Sequence, residues 1–266
     1  MYWAYVCCQR LNLQHYLWKQ QQGYLIHPNI LSIKQENLKI ADIGTGTAIF
    51  LLDLADSLPP STQLHGFDID LTQCPPKPWL PANVNLRTLD VYDEPSEDLS
   101  EQYDIIHIRF FLCVIKNNDP TLILQKMLRM LKPGGWIQWV EQDLTTCWIE
   151  TAFPNLDTQR TEVLKDFALA PIPQWPSNHG SWVAALKQFF EEEGLQDVVE
   201  DRRKKKSHHL SNSQDVTLLA MEEMSTKLSK GSTLREMIQK AAQEFEVNQR
   251  GIAIASDRVT VIGRKP

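Results

Sequence analysis

The sequence has no CxxC pair. Its five cysteines, Cys7, Cys8, Cys74, Cys113 and Cys147, form neither a metal-ligating spacing nor an even disulfide framework. Reduced thiols in a cytoplasmic setting are therefore expected, and zinc ligation is not. No apolar run approaches the ~20 residues that span a bilayer. The start, Met1-Tyr2-Trp3-Ala4-Tyr5-Val6-Cys7-Cys8, has neither the basic opening nor the long apolar stretch of a secretion signal. Basic charge is not in excess: the net charge of −6 argues against general electrostatic binding of nucleic acid. The run Arg202-Arg203-Lys204-Lys205-Lys206 is a local exception and reads first as a solvated strand end or loop. A G-x-x-x-x-G-K-[ST] loop is missing, which leaves ATP or GTP binding of the P-loop kind unsupported. Internal repeats and low-complexity linkers are absent as well.

What is present is a soluble, globular composition, 42% hydrophobic and 23% charged over 266 residues. That length suits one large α/β domain or a core with a smaller cap. The stretch Leu38-Lys39-Ile40-Ala41-Asp42-Ile43-Gly44-Thr45-Gly46-Thr47-Ala48 reads as a buried strand entering a glycine turn, with an apolar helix from Ile49 to Ala55 behind it. Gly44 and Gly46 permit the tight path and leave room for a ligand. Asp42 is the unusual residue, because a carboxylate at the end of a buried strand needs a cationic or hydrogen-bonding partner.

Around this stretch short apolar strands alternate with helices, the pattern of a parallel α/β sheet. The predicted strands are Lys39 to Ile43, Gln63 to Asp70, Val84 to Asp90, Tyr103 to Arg109, Trp136 to Glu141, Leu195 to Lys204 and Val259 to Arg264. A proline-rich connection from Pro75 to Pro81 stands where a helix between strands two and three is expected. Helices are predicted over Arg10 to Lys19 with a stop at Gly23, Pro120 to Leu131, Leu156 to Leu169, Ser181 to Glu193 with a cap at Gly194, Gln214 to Leu228, and Leu234 to Phe245. Four parts result: cap helices over 1–37, a nucleotide-binding core over 38–144, a helical lid with strand six over 145–250, and a closing strand over 251–266.

A dinucleotide, a phosphate-bearing nucleotide and S-adenosylmethionine are the candidate ligands. Two glycines of a G-x-G-x-x-G pattern are a weak signal alone. Asp68, at the end of strand two, can accept both hydroxyl protons of a ribose, which suits NAD and S-adenosylmethionine equally. Asp90, after strand three, can accept a hydrogen bond from an adenine amino group, and Ile69 and Val91 can sandwich the ring. Asp42 suits a ligand with an ammonium group, which a methionyl tail has and NAD lacks. All lie at strand ends, where open α/β sheets bind ligands. A strand-end turn or helix cap is the alternative role for any one of these aspartates.

Ala41-Asp42-Ile43-Gly44-Thr45-Gly46-Thr47, Asp68, Asp90, Tyr103-Asp104-Ile105-Ile106-His107 and Leu131-Lys132-Pro133-Gly134-Gly135 together resemble the ordered motifs of class I S-adenosylmethionine-dependent methyltransferases. Arg10-Leu11-Asn12-Leu13-Gln14-His15, His107-Ile108-Arg109-Phe110 and Trp136-Ile137-Gln138-Trp139 further resemble the fungal natural-product members. The resemblance covers Arg10 to about Asp143 and the closing strand, and is weak over 145–250. It implies a Rossmann-like, seven-stranded, mostly parallel sheet whose antiparallel last strand inserts between strands five and six. It implies S-adenosyl-L-methionine as cofactor, held by Asp42, Gly44, Thr45, Gly46, Asp68, Ile69, Asp90 and Val91. Ala48 departs from the pattern where many members carry a third glycine, a change the fold is expected to tolerate. The segment ahead of Arg10 is also shorter than in many members.

The activity so implied is methyl transfer to O, N or S of a small, aromatic or apolar secondary metabolite. The alternative is a methyltransferase-like protein that binds the cofactor without transferring methyl, as a pericyclase or regulator. The expected partner is a small molecule, with no nucleic acid and no membrane, and a homodimer is left open. In-line displacement at a sulfonium needs positioning above all, and a base only where the nucleophile must lose a proton. His107 at the end of strand four is either that base or a hydrogen-bonded structural histidine. His15, Arg109, Glu141 and Trp175 are the candidate substrate contacts. Arg109 and Glu141, with Asp143, have structural roles as alternatives, and the aromatic residues from Phe153 to Phe190 form lid core or the walls of a flat apolar pocket. His179, His208 and His209 read as surface residues.

Overall fold

A computed structural model describes residues 2–31, 36–153, 180–227 and 231–266 of the chain. It begins with α1 (Tyr2–Gln22) and the single turn α2 (Pro28–Leu31), and then enters β1 (Lys39–Ile43), α3 (Ile49–Ser57), β2 (Gln63–Asp68) and β3 (Val84–Thr88). Next come β4 (Tyr103–Arg109), α4 (Thr121–Met130), β5 (Leu131–Thr151), α5 (Leu186–Glu192), β6 (Gln196–Arg203), α6 (Leu210–Lys227), α7 (Gly231–Val247) and β7 (Ile252–Arg264). The seven strands form one sheet in the order β3-β2-β1-β4-β5-β7-β6. β1 pairs in parallel with β2 and β4, β2 with β3, and β4 with β5.

β7 runs against β5. Gly134 and Gly135 near the start of β5 exchange backbone hydrogen bonds with Lys265, whereas Ala152, just past its end, bonds to Gly251 just before β7. The last strand therefore lies between β5 and β6, as the family resemblance implies.

The chain divides into two compact units. One holds residues 22–142, 182–202 and 258–266, and the other holds 1–21, 143–181 and 203–257. The first contains the carboxyl ends of β1, β2, β3 and β4. Its central strands are buried on both faces, which is why they read as apolar runs without alternation. Phe50, Leu51 and Leu54 of α3 pack with Ile40, Leu64 and Ile105 in one cluster. β1 lies between β2 and β4. The chain leaves β1 toward one edge and returns at β4 on the other side, which opens the crevice where such sheets take ligands. In the other unit Ile238, Ala241 and Phe245 of α7 cluster with Ile252 and Ile254.

β1 and β4 match their predicted bounds residue for residue. β5 and β7 do not: they continue to Thr151 and begin at Ile252. The polar residues Asp143, Thr145 and Thr146 break the apolar pattern after Glu141, but they satisfy one another. The Thr145 amide and hydroxyl both donate to Asp143 Oδ1 at 3.0 and 2.6 Å, so the strand can continue. α1 likewise extends beyond Arg10 to Lys19 at both ends. The helix predicted from Ser181 begins as a 3-10 turn, Ser181–Ala185, before α5. Gly194 ends α5 at φ 79, a conformation that glycine adopts without cost. The predicted helix from Leu156 to Leu169, with Trp175 and His179, lies outside the described residues.

Candidate functional site

β1 delivers Asp42 two residues before the turn, and the register sets it opposite His107 of β4. Both are buried, and Asp42 Oδ1 lies 2.8 Å from His107 Nδ1. A carboxylate only accepts, so the imidazole proton sits on Nδ1. The ring also stacks on Phe50, with centroids 3.8 Å apart and planes 11° apart. Burial pulls the His107 pKa below 6.5, and the bond to Asp42 offsets only part of that fall. His107 is thus a neutral, buried donor.

The turn after β1 hangs from the end of β2. The amides of Gly44 and Thr45 donate to the Phe67 carbonyl at 2.8 and 2.9 Å, and the Gly46 amide donates to Asp68 Oδ2 at 2.8 Å. Gly44 is at φ 72 and Gly46 at φ 58, where side-chain-bearing residues are strained. Gly44 has a second reason to be glycine: a Cβ there would lie 2.6 Å from Phe111 Cε2. Ala48, which precedes α3, is also left-handed at φ 60 and carries the strain that a third glycine would avoid. Thr45 Oγ1 is buried in this turn with no hydrogen-bond partner among the described residues.

Asp68 is half-buried, and next to it Ile69 is 66% exposed, an apolar side chain left uncovered at a strand end. Asp90 lies just beyond β3, where its Oδ1 accepts from the Tyr92 amide at 2.9 Å. Val91 beside it is half-buried. This loop is tied to α4 by Lys126, whose buried ammonium donates to the carbonyls of Tyr92 and, at 3.1 Å, Asp93. Asp42, Gly44, Thr45, Gly46, Asp68, Ile69, Asp90 and Val91 therefore gather at the carboxyl ends of three adjacent strands.

At the end of β4, Arg109 is half-buried and its guanidinium lies 5.7 Å from the centre of the Phe50 ring. Burial lowers its pKa, opposed by Asp42. Glu141 of β5 is fully buried and accepts from the Phe111 amide at 2.6 Å and the Trp139 indole at 2.9 Å. Burial pushes its carboxyl up to about 8, against those donors and the charge of Arg258.

His15 is buried in α1, in the unit that does not contain the glycine turn. Trp175 lies outside the described residues. Two participants had no part in the sequence reading. Phe111 left no signal, because its contact with Gly44 depends on the turn after β4. Arg258 did leave one, as a cation beside Asp257 within the largely apolar stretch from Ile252 to Gly263.

Residues 17–200 match the family model described as a methyltransferase domain. The chain belongs to the methyltransferase domain family. Among similar proteins, the N-methyltransferase tcpN of Claviceps purpurea (strain 20.1) is 34% identical over 136 residues, 51% of this chain and 48% of the relative. The N-methyltransferase verN of Clonostachys rogersoniana is 32% identical over 133 residues, 50% and 46% of the two chains. This methyltransferase-domain chain spans about half the length of those curated relatives. A solved phosphoethanolamine N-methyltransferase 2 of Haemonchus contortus shares the fold at TM-score 0.51 and 15% identity, over 94% of this chain and 53% of that one.

Proposed function

We propose that this chain binds S-adenosyl-L-methionine at the glycine turn and transfers its methyl group to a nitrogen, oxygen or sulfur of a small secondary metabolite. The observation that carries the reading is the alignment of Asp42, Asp68 and Asp90 at the ends of β1, β2 and the β3 loop. Each matches one part of that cofactor: an ammonium for Asp42, ribose hydroxyls for Asp68, an adenine amino group for Asp90. The uncovered Ile69, with Val91, offers apolar faces to a ring, and the orphaned Thr45 hydroxyl has a hydrogen bond left to make. The Haemonchus enzyme of the same fold was solved with S-adenosylhomocysteine, which is in keeping with this assignment.

When bound, the cofactor supplies an electrophilic methyl on a sulfonium. The chain contributes orientation. His107 donates to Asp42 and holds its carboxylate in one place, so we read it as a positioning residue, with its proton committed. Transfer then suits a nucleophile that need not lose a proton before it attacks, such as a neutral amine, whose proton leaves to solvent from the ammonium product. The names of tcpN and verN support nitrogen over oxygen or sulfur. The setting is proposed to be cytoplasmic; no described helix is long and apolar enough to cross a membrane.

Release of S-adenosylhomocysteine from labelled cofactor, assayed against a panel of secondary-metabolite amines, tests the transfer. Release that depends on both the amine and Asp68 is expected. Cofactor binding without release across amines, phenols and thiols would leave the non-transferring alternative in its place.

A further inference from the structure

Glu141 takes no part in the chemistry above, yet a carboxyl buried this deeply is costly to keep. Its Oε1 accepts from the Phe111 amide at 2.6 Å and from Trp139 Nε1 at 2.9 Å, and its Oε2 has no hydrogen-bond partner among the described residues. The Phe111 amide belongs to a strained turn. Phe110 is at φ 60, a left-handed conformation that an aromatic residue adopts only when its surroundings hold it there.

Two successive anchors on β5 supply that hold. The Phe110 amide donates to the Val140 carbonyl at 3.0 Å, and the Phe111 amide donates to the Glu141 side chain. The turn so fixed sets the Phe111 ring against Gly44, close enough that a Cβ on Gly44 would meet it at 2.6 Å. The charge of Arg258 of β7 acts on Glu141 and that of Arg109 of β4 acts on Arg258, so the carboxyl is coupled electrostatically to two cations.

We propose that Glu141 is a positioning residue that locks the strained Phe110–Phe111 turn closed and so presses Phe111 onto Gly44, fixing the shape of the cofactor-binding turn. This rests on the reading of that turn as the S-adenosylmethionine site. Val140 holds the turn through its carbonyl, which mutation cannot remove. Glu141 is the side chain through which the hold can be tested.

Two measurements on the full chain decide it: hydrogen exchange at the Phe111 amide, and calorimetry with S-adenosylmethionine. In Glu141→Leu the amide loses its acceptor, and exchange is expected to rise at least ~10-fold with a similar weakening of cofactor binding. Glu141→Gln keeps an acceptor and is expected to stay within about threefold of wild type in both. Phe111→Ala is expected to weaken binding about as much as Glu141→Leu, and the double variant no further, because both act through one contact. Additive losses, or native protection of Phe111 in Glu141→Leu, overturn the proposal. Should Glu141→Leu not fold, unchanged binding in Phe111→Ala or lost protection in Glu141→Gln overturns it instead. If wild type does not bind the cofactor, the functional reading fails, and exchange at Phe111 still reports whether Glu141 holds the turn.

Discussion

His107 Nδ1 lies 2.8 Å from Asp42 Oδ1, and the two residues are register partners across β1 and β4. The pair sets the direction of the one carboxylate assigned to the cofactor's ammonium. His107→Ala removes that restraint and is expected to weaken S-adenosylmethionine binding about tenfold, roughly the value of a hydrogen bond to a charged group. Calorimetry checks this. The maximal turnover is expected to change less than the cofactor KM. A histidine acting as base gives the opposite split.

The same histidine makes stability depend on pH. Its folded pKa lies below the ordinary 6.5, so below that value the unfolded chain binds the extra proton more readily. Stability from this group is present above 6.5 and is lost as pH falls through the folded value. The urea midpoint of wild type relative to that of His107→Phe is expected to fall between about pH 7 and pH 5.

Glu141 slopes the other way over a range that overlaps this one. Its folded pKa is pushed from 4.5 up to about 8. The unfolded chain ionises first, so the stability associated with the neutral form is full below about 4.5 and declines as pH rises to about 8. The stability of Glu141→Gln relative to wild type is therefore expected to increase across that interval by several kcal/mol, on the order of 1.4 per pH unit. Thermal or urea unfolding at pH 5 and pH 8 measures it.

Two of the left-handed positions in the cofactor turn, Gly44 and Ala48, predict opposite results. Gly44→Ala places a methyl group in a strained backbone and against the Phe111 ring. It is expected to cost about 2 kcal/mol or more. Ala48→Gly relieves the strain at φ 60 and is expected to be neutral or to stabilise by about 1 kcal/mol. Chemical denaturation of both variants compares them directly.

Lys126 ties the Asp90 loop to α4 through the Tyr92 and Asp93 carbonyls. Lys126→Met fills the same space but leaves those part-buried carbonyls without their donor. A loss of about 1–3 kcal/mol in stability is expected, with weaker binding of adenine-containing ligands than in wild type. Unfolding measurements and calorimetry with S-adenosylhomocysteine check the two effects.

Much of this site was legible in the sequence because strands and glycine turns are written locally. β1 and β4 follow from short, largely apolar stretches, and Asp42 is conspicuous because a carboxylate seldom ends such a stretch. What the sequence hid are relations that require register. The partner of Asp42 is a histidine 65 positions away, and no spacing rule joins them until β4 is known to lie beside β1. The constraint on Gly44 from Phe111 depends on a non-glycine residue at positive φ, which local preferences argue against. β5 was read short for a related reason. Asp143, Thr145 and Thr146 look like a loop until their mutual hydrogen bonds are seen. Ala48 was expected to be tolerated because of its small size, whereas its backbone conformation is what bears on stability.

The central claim is that the glycine turn and the acidic strand ends bind S-adenosylmethionine, and calorimetry with that ligand tests it most directly. Wild type is expected to bind, with Asp68→Ala weakened about tenfold or more through loss of the ribose contacts and of the Gly46 anchor. No heat of binding at millimolar ligand, or equal affinity in wild type and Asp68→Ala, would contradict the account.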